Sequence, residues 1–181
     1  NPGDAPVNIE ATYWQAAQQH VATYAIPAHS RYTVWLDQEA QNNRAPSGTL
    51  SIVLKGDGPF AAETVIYDAA YYTGTATAGS PGAAHRWYFA EGSTTTPYTT
   101  RLAIFNPGPN GAVANASLLP TAPSATGLAW ALMPGELKLV NLNDLARDTS
   151  SGFVLASDSP LVVERLMSMQ GTGLLGAIGL P

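Results

Sequence analysis

The stretch that decides the fold is residues 87–108, which read WYFAEGSTTTPYTTRLAIFNPG. Its two ends are rich in aromatic and aliphatic residues and its polar middle contains a proline, so it predicts two strands joined by a turn. It ends in Asn106-Pro107-Gly108, and the chain opens with the same triplet, Asn1-Pro2-Gly3. The same order of strands and turns follows each triplet, which indicates a tandem repeat whose first copy starts late.

The repeat can be followed strand by strand. Strands of the first copy are predicted at residues 7–14, 20–26, 30–36, 49–54 and 60–68, with a short helical turn at 37–40 that Asp37 would cap. The second copy has counterparts at 114–119, 127–133, 136–142, 152–157 and 161–169, preceded by two further strands at 86–90 and 99–105. The spacing between matched residues changes only where loops are predicted, chiefly at 38–48, as in a structural repeat.

These strands predict an all-β protein made of tandem immunoglobulin-like antiparallel β-sandwiches. A complete copy has about seven short strands separated by Gly, Pro, Ser and Asn turns, which is the pattern of such a sandwich. A β-barrel is the second possibility. The expected domains are an incomplete first sandwich at 1–72, a linker at 73–85 and a complete second sandwich at 86–181.

The first copy lacks a counterpart of residues 87–105, that is, its first two strands. Leu102 and Ile104 alternate with less apolar positions, so their strand should bury one face, and each aliphatic side chain left exposed forgoes roughly 1.5–3 kcal/mol. Three explanations stay open. Residues before Asn1 supply the strands, a neighbouring subunit supplies them by strand addition, or the first copy is a smaller sheet packed on the second.

The composition restricts the classes of function. The net charge is −5 and the isoelectric point is near 5.0, which argues against a nucleic-acid partner held through phosphates. The chain has no cysteine, so disulfides and thiolate chemistry are excluded. No apolar run approaches the roughly 20 residues that span a bilayer, so membrane insertion is not expected.

The charged pair Glu164-Arg165 lies inside an otherwise apolar strand, and Glu63 is the match of the glutamate in the first copy. A ligand-binding or acid–base carboxylate is one interpretation. The other is a structural carboxylate paired with a basic side chain or a backbone N–H. The second is favoured because no second carboxylate recurs beside it, as glycoside hydrolysis would need.

No metal, cofactor or catalytic site is predicted. Asp57 and Asp158 occupy turns that each offer one carboxylate, so turn stabilisation is favoured over calcium binding. His20, His29 and His85 lack the spacing of metal ligands. The chain also lacks a G-x-S-x-G nucleophile motif, and we therefore expect a protein that is not an enzyme.

Aromatic and hydroxyl side chains give the remaining candidate sites. Trp14, Trp35, Trp87 and Trp130, with Tyr71 and Tyr72, would either pack in the sheets or line a sugar-stacking face. Asn115-Ala116-Ser117 fits the N-glycosylation pattern, so Asn115 is a possible glycosylation site. The threonine-rich stretches 73–80 and 93–100 could carry O-linked sugars.

The combined phrases resemble a family of secreted bacterial repeat modules of unknown function, which occur in tandem in surface proteins of actinobacterial and chloroflexi type. The family's phrases are W-Y-x-A-E-G, N-P-G, V-P-A-x-S-R and P-x-V-A-E-R; here they stand at 87–92, 106–108, 26–31 and 160–165. The first copy departs at Glu63-Thr64 and the second at 134–138. The resemblance implies export and surface exposure and supplies no reaction.

The expected function is that of a non-catalytic extracellular structural or adhesive repeat protein. One specific form is a filament or surface-layer subunit joined to its neighbours by strand complementation. Its partners would be copies of itself, neighbouring repeats, or cell-surface and environmental glycans. The alternative is a carbohydrate-binding accessory module of a larger secreted protein, which a row of exposed aromatic side chains on one sheet face would favour.

Overall fold

The computed structural model describes residues 1–67, 73–119, 128–169 and 173–181. Strands make up 56% and helices 6% of the structure, and the sheets are antiparallel, which confirms the all-β prediction. The chain divides into two compact units, residues 1–62 and 63–181. The longest described helix has six residues, and no described helix is long and apolar enough to cross a membrane.

The first unit is built on one three-stranded antiparallel sheet. Its elements are β1 (Val7–Gln15), β2 (Gln18–Ile26), α1 (Leu36–Gln41) and β3 (Ser51–Gly56), and the strand order is β2-β1-β3. Alternate residues of β1 point to opposite faces, and Val7, Ile9, Ala11 and Tyr13 are all buried. The core of the first unit therefore lies against one face of this sheet.

The other nine described strands lie in the second unit. They are β4 (Glu63–Tyr67), β5 (Gly74–Ala78), β6 (Ala84–Phe89), β7 (Tyr98–Phe105), β8 (Ala112–Leu119), β9 (Leu128–Leu132), β10 (Leu137–Asn141), β11 (Gly152–Met169) and β12 (Gly173–Ile178). One turn of 3-10 helix follows β10 at Leu142–Asp144. Strands β6 and β7 are the two that residues 87–105 predict.

The long strand β11 belongs to two sheets. Its first part, Gly152–Ser157, pairs with β6 on one side and β8 on the other, and β9 pairs with β8. After an irregularity between Ala156 and Leu161, its second part pairs with β7 and β12, and β10 pairs with β7. This change of partners along one strand gives the second unit its sandwich-like character. The sequence predicts a turn at 157–160, where the structure instead continues β11 through this irregularity.

The core of the second unit contains the aromatic and aliphatic residues of the deciding stretch. Trp87 and Phe89 of β6 pack with Leu102 and Ile104 of β7, and all four are buried. The ring of Phe89 stacks on Phe153 with centroids 4.5 Å apart. Thus both strands of the stretch bury the alternating face that their sequence predicts.

Gly179 lies against this aromatic cluster and leaves no room for a side chain. A Cβ there would lie 2.7 Å from Phe89 Cζ and 2.9 Å from Trp87 Cε3. We expect Gly179→Ala to lower the free energy of unfolding of the second unit by about 1–3 kcal/mol, because overpacking forces the rings to move. Urea unfolding measures this, with Gly82→Ala as control, since a Cβ at Gly82 meets nothing within 4 Å. Equal stability of the two variants would contradict the expectation.

The boundary between the units differs from the sequence expectation. The predicted linker 73–85 contains β5, which pairs with β4, and both strands belong to the second unit. Strand β5 also packs on β12, where the Thr75 hydroxyl accepts a hydrogen bond from the Gly176 N–H at 2.8 Å. A segment with weak periodicity thus becomes a strand because a hairpin partner and a packing surface are available to it. Residues 68–72 lie outside the described residues.

The predicted strand at 30–36 is wrong. Residues 30–35 join no sheet and α1 begins at Leu36, so the short helix is confirmed but starts one residue before Asp37. Trp35 holds the N-cap position and makes no side-chain cap, so the Asp37 cap is also wrong. In the second unit the matched strand β10 pairs with β7, and β7 has no match among the described residues of the first unit.

Candidate functional site

The asparagine of the Asn-Pro-Gly triplet ties together three backbone segments in the second unit. Asn106 is fully buried, and its Nδ2 donates to the carbonyl oxygens of Asn110 at 2.8 Å and Met133 at 3.2 Å. Its Oδ1 accepts from the Gly108 N–H at 3.0 Å. One side chain therefore satisfies the turn after β7 and the end of β9.

The first unit repeats this arrangement with Asn1. The Asn1 Nδ2 donates to the carbonyl oxygens of Ala5 at 2.9 Å, Ile26 at 3.1 Å and Pro27 at 3.0 Å. The Asn1 Oδ1 accepts from the Gly3 N–H at 2.9 Å. The triplet that reveals the repeat in the sequence is thus a structural clamp, and we call the two residues the asparagine clamps.

The turn aspartates also match between the units. The Asp57 carboxylate accepts from the Asn8 N–H at 2.8 Å, and the Asp158 carboxylate accepts from the Val113 N–H at 2.8 Å. Hydrogen bonds from the side chain and backbone of Asn8 lower the pKa of Asp57. Both carboxylates hold a turn against the strand that follows the Asn-Pro-Gly triplet of their unit, β1 or β8. Among the described residues, no group of three or more metal-ligating side chains occurs.

The charged pair Glu164-Arg165 is separated by the strand geometry, since consecutive residues point to opposite faces. Glu164 accepts a hydrogen bond from the Thr77 hydroxyl at 2.8 Å, and the Arg165 guanidinium donates to the Glu91 carbonyl. The partner of Glu164 is therefore a hydroxyl and not the basic side chain or backbone N–H predicted. Glu63 is exposed on β4, so the matched glutamates do not share an environment.

The three histidines lie apart and have different neighbours. His29 Nε2 is 2.9 Å from Asp4 Oδ1 at an exposed position of the first unit. His85 Nδ1 is 3.1 Å from the Ser157 carbonyl oxygen in the second unit. His20 is exposed on β2, where its register partner is Tyr13.

The four tryptophans have unequal exposure. Trp87 is fully buried, Trp14 and Trp130 are half-buried, and Trp35 is 59% exposed. Exposure of Trp35 alone does not give the row of aromatic side chains on one sheet face that a sugar-stacking surface needs. Tyr71 and Tyr72 lie outside the described residues.

The candidate glycosylation positions are only partly accessible. Asn115 is exposed on β8, so the predicted acceptor faces solvent. In the stretch 93–100, Ser93, Thr94 and Thr100 are buried, and the Thr100 hydroxyl donates to the Ser93 carbonyl at 2.6 Å. These three hydroxyls hold the β6–β7 connection and are unsuited to O-linked sugars.

A buried polar network in the first unit was not predicted from the sequence. The Tyr13 and Tyr24 hydroxyls are 2.7 Å apart, and Tyr24 donates to Glu39 Oε2 at 2.6 Å. Arg44 Nε lies 3.2 Å from the same Glu39 oxygen, and its guanidinium lies over the Tyr24 ring. Glu39 is buried, so this network ties α1 to the sheet through a satisfied carboxylate. Tyr13 and Glu39 are 26 positions apart, and no local sequence pattern predicts that they share a network.

The network predicts a loss of stability at alkaline pH. Burial, then the hydrogen bond to Glu39, raises the pKa of Tyr24, and burial raises that of Tyr13. A raised pKa in the folded state adds stability below the ordinary value of 10.0, and this stability is lost as the pH rises above it. We expect urea unfolding at pH 8 and pH 11 to show this loss, and Tyr24→Phe to reduce it. The same pH dependence in both proteins would contradict the prediction.

Strand β3 lies at the edge of its sheet in the described structure. Strand β3 pairs only with β1 among the described strands, whereas the matched part of β11 pairs with β8 and also with β6. The two sheets agree in register, since Leu54 lies opposite Ala11 as Leu155 lies opposite Ala116. An unpaired edge presents free N–H and C=O groups to any extended segment.

The side chains on β3 differ in exposure from their counterparts on β11. Leu155 is 0% exposed beside β6, where its register partner is Trp87, while Leu54 is 37% exposed. We call the outer edge of β3 with Ile52 and Leu54 the open edge. Its geometry suits a strand that brings bulky apolar side chains.

The fold defines the class of the protein as an all-β chain of antiparallel sheets, with a sandwich-like second unit. No family model and no curated protein sequence matches it. Among solved structures it is similar to Thermotoga maritima 1070, at 19% identity and a TM-score of 0.44, over 56% of this chain and 96% of that one. It is also similar to the Anabaena sensory rhodopsin transducer, at 23% identity and a TM-score of 0.37, over 46% and 87%. Likenesses this distant indicate no function.

Proposed function

We propose that this protein is a non-catalytic extracellular or cell-surface repeat protein with a structural or adhesive role. In this proposal each unit is a variant of the immunoglobulin-like sandwich, and residues 1–62 as described contain no strand equivalent to β6 or β7. The observation that supports the proposal is that the same structural features recur in both units. The asparagine clamps and the turn aspartates Asp57 and Asp158 occur in both, with matched partners.

The chemically distinctive groups do not recur in the same way. Glu39 of the buried network is matched by Ala146 in the second unit, and the matched Glu63 and Glu164 have different surroundings. In such a repeat protein the structural framework is the same in both units and the reactive groups differ. This suits a role in spacing or joining other molecules better than a chemical reaction performed by both units. The low share of charged residues, 12%, suits surfaces that are covered by neighbours or by glycans.

The specific form that we propose is a subunit of a filament or surface layer, joined to its neighbours by strand complementation. The open edge supports it, because an unpaired strand with an exposed Leu54 is a template for strand addition. The partners are then copies of this chain or neighbouring repeats.

Light scattering after size-exclusion chromatography, with negative-stain microscopy, tests this form on the 181-residue chain. Ordered oligomers or filaments that grow with concentration are the expected result. A stable monomer at all concentrations would contradict the proposal that the chain forms filaments.

A second candidate function is carbohydrate binding as an accessory module of a larger secreted protein. The observation in its favour is that Tyr32 and Trp35, in the segment before α1, are 53% and 59% exposed. Affinity electrophoresis in gels containing soluble polysaccharides tests it, with Tyr32→Ala and Trp35→Ala as variants and Tyr88→Ala in the second unit as control. Retardation that only the first two variants abolish would favour this function over the structural role.

A further inference from the structure

We propose that the open edge is a binding site for one kind of partner: an extended polypeptide segment with the sequence pattern of β6 and β7, from a polypeptide carrying a further copy of the WYFAEG phrase. The inference deepens the strand complementation proposed above and rests on it. It specifies the receiving strand, the direction of the incoming strand and the side chains that the site accepts.

The second unit shows how such a segment is held. Strand β6 runs antiparallel to the first part of β11, with Phe89 opposite Phe153 and Trp87 opposite Leu155. Both rings enter the core, and the Trp87 Nε1 donates to the Leu161 carbonyl at 2.9 Å. The incoming segment therefore pairs antiparallel and places aromatic residues at alternate positions.

The open edge has matching features in the first unit. Ile52 and Leu54 occupy the places of Phe153 and Leu155, as their register against Tyr13 and Ala11 shows. Leu54 is 37% exposed, whereas its counterpart Leu155, opposite Trp87 of β6, is 0% exposed. A strand of β6 type would cover Leu54 with an aromatic ring and pair with free N–H and C=O groups.

A second, independent place in the first unit points to the same occupant. Strand β10 pairs with β7 along Leu137–Asn141, while the matched residues 31–35 join no strand in the described chain. Within this segment Tyr32 and Trp35 are more than half exposed. Since no described strand occupies the place of β6 or of β7, the expected occupant is a segment of both strands, as in residues 84–105.

A second copy of this chain is the competing occupant. Two β3 edges could pair with each other, but the strand Ser51–Gly56 offers no aromatic side chain to cover Leu54. A second copy could lend its own β6 only by exposing its own Leu155 and Phe153, which are buried. A segment that is unpaired in its own polypeptide has no such loss.

The test adds a fluorescently labelled synthetic peptide of residues 84–105 to the 181-residue chain and follows binding by fluorescence anisotropy. We expect saturable binding at one peptide per chain. A matched peptide with Trp87→Ser and Phe89→Ser should bind at least about tenfold more weakly, because aromatic anchors dominate such contacts. Equal binding of the two peptides would overturn the proposal.

The location is tested with two variants of the whole chain. Leu54→Glu places a charge at the open edge, and Val21→Glu places one at an exposed position on β2, at the far side of the same sheet. We expect Leu54→Glu to weaken peptide binding at least about tenfold and Val21→Glu to leave it unchanged. Equal binding to Leu54→Glu would mean that the peptide replaces β6 on β11, and the proposal would be wrong.

The competing occupant and the proposed function have separate readouts. Dimers could form without peptide, persist when peptide is added and be absent in Leu54→Glu. This result would show that the open edge binds a second copy of the chain, which would overturn the inference. Specific peptide binding by a chain that forms no ordered assemblies would support the inference and end the filament version of the proposed function. Filaments that form equally well in Leu54→Glu, with no peptide binding, would support a structural role through another surface and would overturn both the inference and strand complementation at the open edge.

Discussion

Trp87→Ala is expected to lower the free energy of unfolding of the second unit by about 3–5 kcal/mol, the usual cost of removing a buried tryptophan. Trp87 is fully buried, packs in the cluster that Gly179 closes, and donates a hydrogen bond to the Leu161 carbonyl at 2.9 Å. The substitution leaves a cavity where β6 meets β11 and an unsatisfied buried carbonyl. Since small domains are stable by only about 5–15 kcal/mol, a large part of the unit's stability depends on this residue.

Hydrogen exchange with peptide-level readout measures this effect, because it reports the two units separately. Amides of β6, β8 and β11 should exchange faster in Trp87→Ala, and those of β1 and β2 should be unaffected. Tyr88→Ala is the matched control, since Tyr88 is the next residue on the same strand and is 44% exposed. The role assigned to Trp87 is wrong if both variants lose protection equally.

Trp87→Phe separates packing from hydrogen bonding at this position. Phenylalanine keeps most of the apolar volume but loses the indole N–H that satisfies the Leu161 carbonyl. We expect a loss of about 1–3 kcal/mol, the cost of an unsatisfied buried acceptor. The result bears on the open edge too, because the same ring is proposed as the anchor of an incoming segment.

Much of the second unit follows from local sequence pattern. Leu102 and Ile104 are predicted to share a buried face, and both are fully buried in the structure. Strands β6, β7, β8, β10 and β11 lie where the sequence predicts strands, because alternation and turn residues are local signals. The all-β class could therefore be predicted from the sequence.

Pairing could not be predicted in this way. Residues 30–36 have the alternation of a strand, but a strand also needs a neighbour, and residues 30–35 join no sheet in the described structure. Strand β5 is the reverse case, because Gly74–Ala78 has weak local preference and becomes a strand by pairing with β4. Tertiary partners decided both outcomes.

The sequence revealed the repeat through its triplets but not their physical role. Nothing in Asn-Pro-Gly says that the asparagine side chain reaches backbone carbonyls 26 and 27 positions away, as Asn106 reaches those of Leu132 and Met133. The open edge was likewise only half predictable. The sequence indicates that the first copy has no counterpart of residues 87–105, but the exposure of Leu54 is seen only in the three-dimensional structure.

Asn106→Ala is expected to destabilise the second unit by about 2–4 kcal/mol. The substitution removes the donor that satisfies the carbonyls of Asn110 and Met133 and the acceptor for the Gly108 N–H, at a position with no exposure to water. Water cannot replace these partners without opening the end of β9. Asn110→Ala is the matched control, because Asn110 takes part through its backbone carbonyl, which the substitution retains.

Asn106→Asp tests the direction of the hydrogen bonds in the clamp. The aspartate keeps an acceptor for the Gly108 N–H, but when ionised it directs a charge at carbonyl oxygens that need a donor. Burial and these oxygens favour the protonated acid, so the pKa of the new side chain should rise on folding. Stability should then be greatest at low pH and fall as the pH rises above about 4.

Urea unfolding at pH 4 and pH 7 measures this effect. The free energy of unfolding should fall more between pH 4 and pH 7 in Asn106→Asp than in the unmodified chain. If Asn106→Asp has the same pH dependence as Asn110→Asp, the clamp does not depend on its amide donor and the shared framework of the two units needs another explanation.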